Sequence, residues 1–236
     1  MTINKRHEYK HSLNWADYLI IRSRLSKIMR RDPHAGADGI YRVRSLYFDS
    51  PNDRALRDKV NGVNRREKFR MRRYPGGADS NFIVLEKKTK ENGLCGKQQA
   101  RITREQAARL MNGDYSWMRD SIDALILELY SKLNTELLRP KAIVDYIREP
   151  FLCDAGNVRV TLDRDIRAGG ASDGRKLGFA EDFFDDALPT VKVGDEIVLL
   201  EVKYDEFIPD YIVKLLQLGD RQASSSSKYA QSRIYG

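Results

Sequence analysis

Between Arg65 and Tyr74, the basic residues Arg66, Lys68, Arg70 and Arg72 fall at every second position. In an extended strand this spacing puts all four on one face, with Glu67, Phe69, Met71 and Arg73 on the other. Basic groups aligned in this way suit phosphate: arginine offers a planar fork of donors and lysine a compact charge. The alternation recurs along the chain. Val84, Glu86, Lys88 and Lys90 alternate with Ile83, Leu85, Lys87 and Thr89, and the first strand groups Arg6, Glu8 and Lys10. Tyr146 shares a face with Arg148; Arg159, Thr161 and Asp163 face away from Val158, Val160 and Leu162; Glu201 and Lys203 alternate with Leu200, Val202 and Tyr204.

A charged strand face is ordinarily the wet one. Its repetition here, beside three amphipathic helical segments able to cover the apolar faces, predicts the reverse: charged faces turned inward around a polar cavity. Unpaired cations packed in a low dielectric would cost on the order of several kcal/mol each, so a polyanion must fill that space. The carboxylates Glu8, Glu86 and Glu201 would neutralise some of the cations or bind a divalent metal that bridges to phosphate oxygens.

The elements that must position these residues follow from periodicity and punctuation. Strands are expected over residues 6–11, 41–48, 65–74, 81–89, 141–148, 157–165 and 196–204. Apolar residues Trp15, Tyr18, Leu19, Ile21, Leu25 and Ile28 predict a helix over 15–29 that ends before Asp32-Pro33. A second starts at the Ser50–Asp53 turn and closes at Asn61-Gly62. Ile122, Leu125, Ile126, Leu129, Leu133 and Leu137 form a stripe ending at Arg139-Pro140, and Pro209 opens a last helix carrying Tyr211, Ile212, Leu215 and Leu216. The Gly-rich, acidic stretch 169–186 reads as a loop or lid. No repeat or linker divides the chain, so one domain spanning 1–236 is expected.

Composition narrows the function. The 236 residues carry 42 Lys and Arg against 34 Asp and Glu, a net charge of +8 that favours an anionic partner. The two cysteines, Cys95 and Cys153, lack CxxC spacing, and only three histidines occur, so neither a zinc site nor a disulfide framework fits. No segment approaches the apolar length of a membrane span or a signal core, and a cytoplasmic protein is expected. Nucleic acid is disfavoured, because no aromatic stacking platform or basic recognition helix accompanies the charge.

The ordered set Arg-His-Glu-Tyr-Lys at 6–10, Ser-Leu-Tyr-Phe-Asp at 45–49, Phe-Arg-Met-Arg-Arg-Tyr at 69–74, Leu-Glu-Lys-Lys-Thr at 85–89, Tyr-Ile-Arg at 146–148, Val-Arg-Val-Thr-Leu-Asp at 158–163, Leu-Glu-Val-Lys-Tyr at 200–204 and Ser-Lys-Tyr at 227–229 resembles the triphosphate tunnel metalloenzymes. Within them it resembles the polyphosphate-polymerase domain of the vacuolar transporter chaperone (VTC) complex. The resemblance implies an α+β fold, a closed antiparallel β-barrel with helices packed outside, and transfer of the ATP γ-phosphoryl group to a growing polyphosphate chain. It implies catalytic roles for Lys10, Arg70, Arg72, Lys88, Arg148, Lys203 and Lys228, and substrate contacts from Tyr146, Arg159 and Ser227. The divalent metal, Mn²⁺ or Mg²⁺, falls to Glu201 with Glu8. The first motif departs from the usual Glu-x-Glu-x-Lys, having Arg6 at its first position. Lys97 and Arg101 lie in a segment that the motifs do not align. Relatives in eukaryotes join this domain to a regulatory region and membrane spans, and a free-standing enzyme is expected here. Two other readings stay open: a hydrolase of inorganic or organic triphosphate, with water as acceptor, and a non-catalytic polyphosphate-binding module.

Overall fold

The computed structural model describes residues 5–75, 82–169, 179–187, 190–193, 198–217 and 226–234. Among these residues ten strands form one antiparallel sheet: β1 (His7–Leu13), β2 (Arg30–Arg31), β3 (Tyr41–Asp49), β4 (Arg66–Arg73), β5 (Phe82–Glu91), β6 (Leu94–Thr103), β7 (Arg139–Cys153), β8 (Val158–Gly169), β9 (Val191–Lys192) and β10 (Val198–Tyr204). Eight follow the order β1-β10-β8-β7-β3-β4-β5-β6, while β2 pairs with β7 and β9 with β8. Among the described residues there are seven α-helices: α1 (Trp15–Ile28), α2 (Arg54–Val60), α3 (Arg104–Met111), α4 (Ala124–Thr135), α5 (Phe179–Phe184), α6 (Asp210–Leu216) and α7 (Lys228–Ile234).

The α+β class holds, but among the described residues no continuous ladder closes the sheet into a barrel. Among the described residues its edge strands β1 and β6 meet at a single bridge, where Arg6 and Cys95 exchange backbone hydrogen bonds of 3.0 Å. Register explains why the ladder stops. Antiparallel pairing from Arg6–Cys95 carries His7 and its successors past Leu94 into the Asn92-Gly93 turn, where β6 has no further residues. Asn92 and Gly93 both have positive φ, 50° and 80°, as a tight two-residue hairpin turn requires.

Two apolar layers coat the outer face. Phe69, Met71, Ile83, Leu85 and Ile102 pack beneath Leu110 of α3, Leu125 and Leu129 of α4, and Phe183 of α5. Phe151, Val160, Leu162, Leu200 and Val202 pack beneath Tyr18, Ile21 and Leu25 of α1 and Ile212 of α6. Each buried Leu, Ile or Phe contributes roughly 1.5–3 kcal/mol, which anchors the sheet with its charged face inward. Caps set the helix starts. Asn14 accepts from the Asp17 amide at 2.8 Å, Thr103 and Gln106 form a reciprocal capping box, and Asp123 accepts from the amides of Leu125 and Ile126.

Several expectations need correction. Of the stripe assigned to α1, Trp15, Leu19 and Ile28 are exposed, and only Tyr18, Ile21 and Leu25 face the core. Ile122 lies outside α4 in solvent, and Leu137, at φ 55°, has left the helix. β7 is 15 residues long and accommodates Pro140, which stands opposite Phe48 where the ladder is interrupted by a bulge. The stretch taken as a lid contains α5; residues 170–178 lie outside the described ones. No helix among the described residues is long and apolar enough to cross a membrane.

Candidate functional site

The inward faces enclose a cavity of about 420 Å³. Among the described residues, thirteen Lys and Arg side chains line it against three carboxylates, Glu8, Glu67 and Glu201. Lys10, Arg70, Arg72, Lys88, Arg148, Arg159, Lys203, Ser227, Glu8 and Glu201 all reach it. Tyr146 and Lys228 stand one layer behind. The Tyr146 hydroxyl accepts from Arg72 at 3.3 Å, and the Lys228 ammonium sits 4.7 Å over the Tyr146 ring. Tyr146 thus belongs to an apolar cluster at the inner face, where Tyr47, Val144 and Tyr229 pack together.

Cross-strand register sorts the wall into rows. Lys68 of β4 stands opposite Lys88 of β5, which stands opposite Lys97 of β6. In the next row Arg70 faces Glu86, and Glu86 faces Gln99. On the far wall Lys10, Glu201 and Thr161 align across β1, β10 and β8, beside Glu8, Lys203 and Arg159.

Buried carboxylates hold the cations in pairs. Glu86 accepts from Arg70 at 2.6 Å and lies 3.4 Å from Arg72. Asp163 takes the Arg148 guanidinium through two 2.7 Å bonds and the Lys228 ammonium at 2.6 Å. Glu201 lies 2.8 Å from Lys203 and 3.5 Å from Lys10, and Glu8 pairs with the same two amines. Burial and the nearby Glu201 charge push the Glu8 carboxyl upward, but Lys10, Lys203 and Lys88 outweigh them and take it down to about 2. Glu201 and Glu86 are likewise well below the usual range: burial opposes this, and Lys203 and Lys10 at the one, Arg70 and Arg72 at the other, prevail.

The lysine row has no such partners. Lys68, Lys88 and Lys97 make no hydrogen bond or ion pair among the described residues. Burial first, and neighbouring cations after it, lower their affinity for protons: Lys68 and Lys97 fall to about 8, and Lys88 falls well below its ordinary value. Lys68 lies 5.6 Å from the Tyr47 ring. Burial would raise the Tyr47 hydroxyl, but Arg70, Lys68 and Arg72 draw it down to about 8. Several polar atoms are buried without a partner: Arg72 Nε, Arg159 Nε, Thr161 Oγ1, Ser45 Oγ and Ser226 Oγ.

Sequence reasoning placed Lys68 on this face without giving it a role, and it left Lys97 unaligned because β6 went unrecognised. The Asn92-Gly93 dipeptide was the available signal for the hairpin that carries Lys97. Among the described residues no group of three or more His, Cys, Asp or Glu side chains is arranged to hold a metal. The Glu8 and Glu201 oxygens beside the unpartnered Thr161 hydroxyl nevertheless suit a hard divalent cation whose remaining ligands are phosphate and water.

A basic cavity lined by an antiparallel sheet and clad in helices defines the triphosphate-tunnel class of proteins. The chain belongs to the VTC domain family, whose model matches residues 5–235. Among solved structures it is similar to a candidate adenylyl cyclase from Hippeastrum described as having a dominant triphosphatase activity, at 14% identity, TM-score 0.52, covering 97% of this chain and 95% of that one. It is also similar to a candidate adenylate cyclase from Vibrio parahaemolyticus, at 15% identity, TM-score 0.51, covering 98% and 99%. At these identities the likeness speaks to the fold. No curated protein matches the chain.

Proposed function

We propose that the chain is a metal-dependent polyphosphate polymerase, acting as one domain in the cytoplasm, which transfers the γ-phosphoryl group of ATP to a polyphosphate chain held in the cavity as in a tunnel. The observation that carries this reading is the unpartnered lysine row beside the paired arginines. The arginines suffice for one triphosphate, and Lys68, Lys88 and Lys97 add room and charge for a second anion.

In this reading Arg70, Arg72 and Arg148 hold the transferred phosphoryl group and offset the charge that builds on its oxygens, with Lys228 behind them sharing the Asp163 carboxylate with Arg148. Tyr146 keeps Arg72 and Lys228 in place, and Arg159 and Ser227 contact the donor's phosphates. Lys10, Lys88 and Lys203 orient the acceptor. Its terminal oxygen attacks the γ-phosphorus, the bond to the β-bridging oxygen breaks, and ADP leaves with the electron pair. A loose transition state of this kind needs positioning and electrostatic support more than a base. Glu201 with Glu8 would hold the Mn²⁺ or Mg²⁺, which supplies charge neutralisation between phosphate oxygens.

Hydrolysis of inorganic or organic triphosphate is the second reading, and the Hippeastrum neighbour's activity favours it. Against it, Glu8, Glu86, Asp163 and Glu201 are all ion-paired and held ionised at low pKa, which makes them weak bases for water. The test is incubation of purified protein with ATP and Mn²⁺ or Mg²⁺, resolving the products by chain length. Long chains appearing with ADP support the polymerase, whereas free phosphate alone supports the hydrolase. Retained triphosphate binding without turnover supports a binding module.

A further inference from the structure

The cavity wall is basic along nearly its whole length, but one mouth is aromatic. Tyr41 opens β3, and Tyr74 immediately follows β4 on the same inward face as Arg66, Lys68, Arg70 and Arg72. Their rings meet edge to face at 5.6 Å and 75°. Each hydroxyl is tied to a cavity arginine: Arg159 donates to Tyr41 at 2.9 Å, and Arg72 donates to Tyr74 at 3.3 Å. The Arg72 guanidinium also lies 5.9 Å from the Tyr74 ring centre. Tyr74 is 38% exposed and presents its free surface to the cavity mouth.

A phosphate chain has no use for such a surface, because the face of an aromatic ring is negative. A nucleobase does, since every base has a π-face that stacks on tyrosine or on an arginine plane. The other end of the wall differs. Arg66 stands eight residues before Tyr74, about 26 Å away along the strand, and shares its row with Lys90.

We infer that Tyr74, braced by Tyr41, is the nucleobase platform of the cavity, so that a nucleoside triphosphate lies with its base at the Tyr41–Tyr74 mouth and its phosphates pointing toward the lysine row. This rests on the phosphate-binding reading above and deepens it by assigning recognition of the donor's base to stacking on Tyr74. Arg72 links the platform to the phosphate site, since one guanidinium touches both Tyr74 and Glu86.

The test is isothermal titration of the full chain with ATP and, separately, inorganic tripolyphosphate, for wild type, Tyr74→Ala, Tyr74→Leu and Tyr74→Phe. Loss of the ring in the Ala and Leu variants should weaken ATP roughly tenfold and leave tripolyphosphate within about twofold. Tyr74→Phe keeps the ring, loses the bond from Arg72, and should keep its ATP affinity. Tyr74→Leu retains apolar bulk and answers the question if the Ala variant does not fold. Equal weakening of both ligands would mean that Tyr74 acts only through Arg72, and no weakening of either would mean that the base does not reach it; each overturns the platform. Failure of folded wild type to bind either ligand would overturn the phosphate-binding reading together with the platform.

Discussion

Lys68 stands directly across the β4–β5 ladder from Lys88, two amines on one inner face with no counter-ion of their own. Like charges opposed across a ladder are destabilising, so this row works against the fold. Lys68, Lys97 and Tyr47 all fall to about 8. A lysine whose folded value lies below its unfolded one penalises the fold at low pH, and the penalty lifts as pH rises through the folded value; a tyrosine depressed to about 8 acts in the same direction. Thermal midpoints of the ligand-free protein are expected to rise between pH 7.5 and 9.5. Tripolyphosphate should flatten or invert that slope, and a midpoint that falls steadily over this range would contradict the account.

The same amines predict proton uptake on binding. At pH 8.5 a phosphate chain entering the row restores the protons that burial removed, so the calorimetric binding heat should change between buffers of different ionisation enthalpy. Lys68→Met should reduce that dependence and stabilise the ligand-free fold. Identical heats in two such buffers would rule out the linkage.

Asp163 anchors Arg148 and Lys228 and so ties α7 to β7 and β8. Burial would raise its carboxyl, but Arg148 and Lys228 hold it at about 2. Its contribution is present above the unfolded carboxyl value and is lost as pH falls toward 2. Asp163→Asn strands two buried cations and should cost about 3 kcal/mol in chemical denaturation at pH 7, with tripolyphosphate restoring part of the loss. A cost below about 1 kcal/mol would show that the cations do not depend on it.

Arg70 and Arg72 separate by partner. Arg70 is the close partner of Glu86, whereas Arg72 lies farther from it at 3.4 Å and keeps a buried Nε without a partner. Arg72→Ala should lower turnover on the order of 100-fold with a modest change in melting temperature. Arg70→Ala should lower both, because it leaves buried Glu86 with only the longer contact to Arg72 and the Gln99 amide. Full activity in both variants would remove the phosphoryl-binding assignment.

Glu201→Gln should raise the Mn²⁺ or Mg²⁺ concentration needed for half-maximal activity at least tenfold while changing ATP binding less, since the amide keeps the shape and loses the charge. A variant that loses ATP affinity with an unchanged metal response would place Glu201 outside the metal site.

Much of this arrangement was legible in the sequence. Alternation is a local property, and a period of two with Phe69, Met71, Ile83 and Leu85 on one parity leaves Arg70, Arg72, Glu86 and Lys88 no other face. Side-chain parity, the main helices and the basic lining of the cavity therefore followed from residue order, as did the membership that the motifs suggested. Pairing between distant segments did not. Which carboxylate meets which cation, Asp163 with both Arg148 and Lys228 or Glu86 with Arg70, depends on register across strands far apart in the chain. Whether the sheet closes depends on where β6 ends relative to Arg6. The lowered proton affinity of Lys68 and Lys97 and the meeting of Tyr41 with Tyr74 depend on the low-dielectric enclosure that exists only when all the strands are assembled. Residue spacing determined which groups face inward; the tertiary structure decided which of them are neutralised and which are left free, because electrostatic energy depends on distance and burial in space.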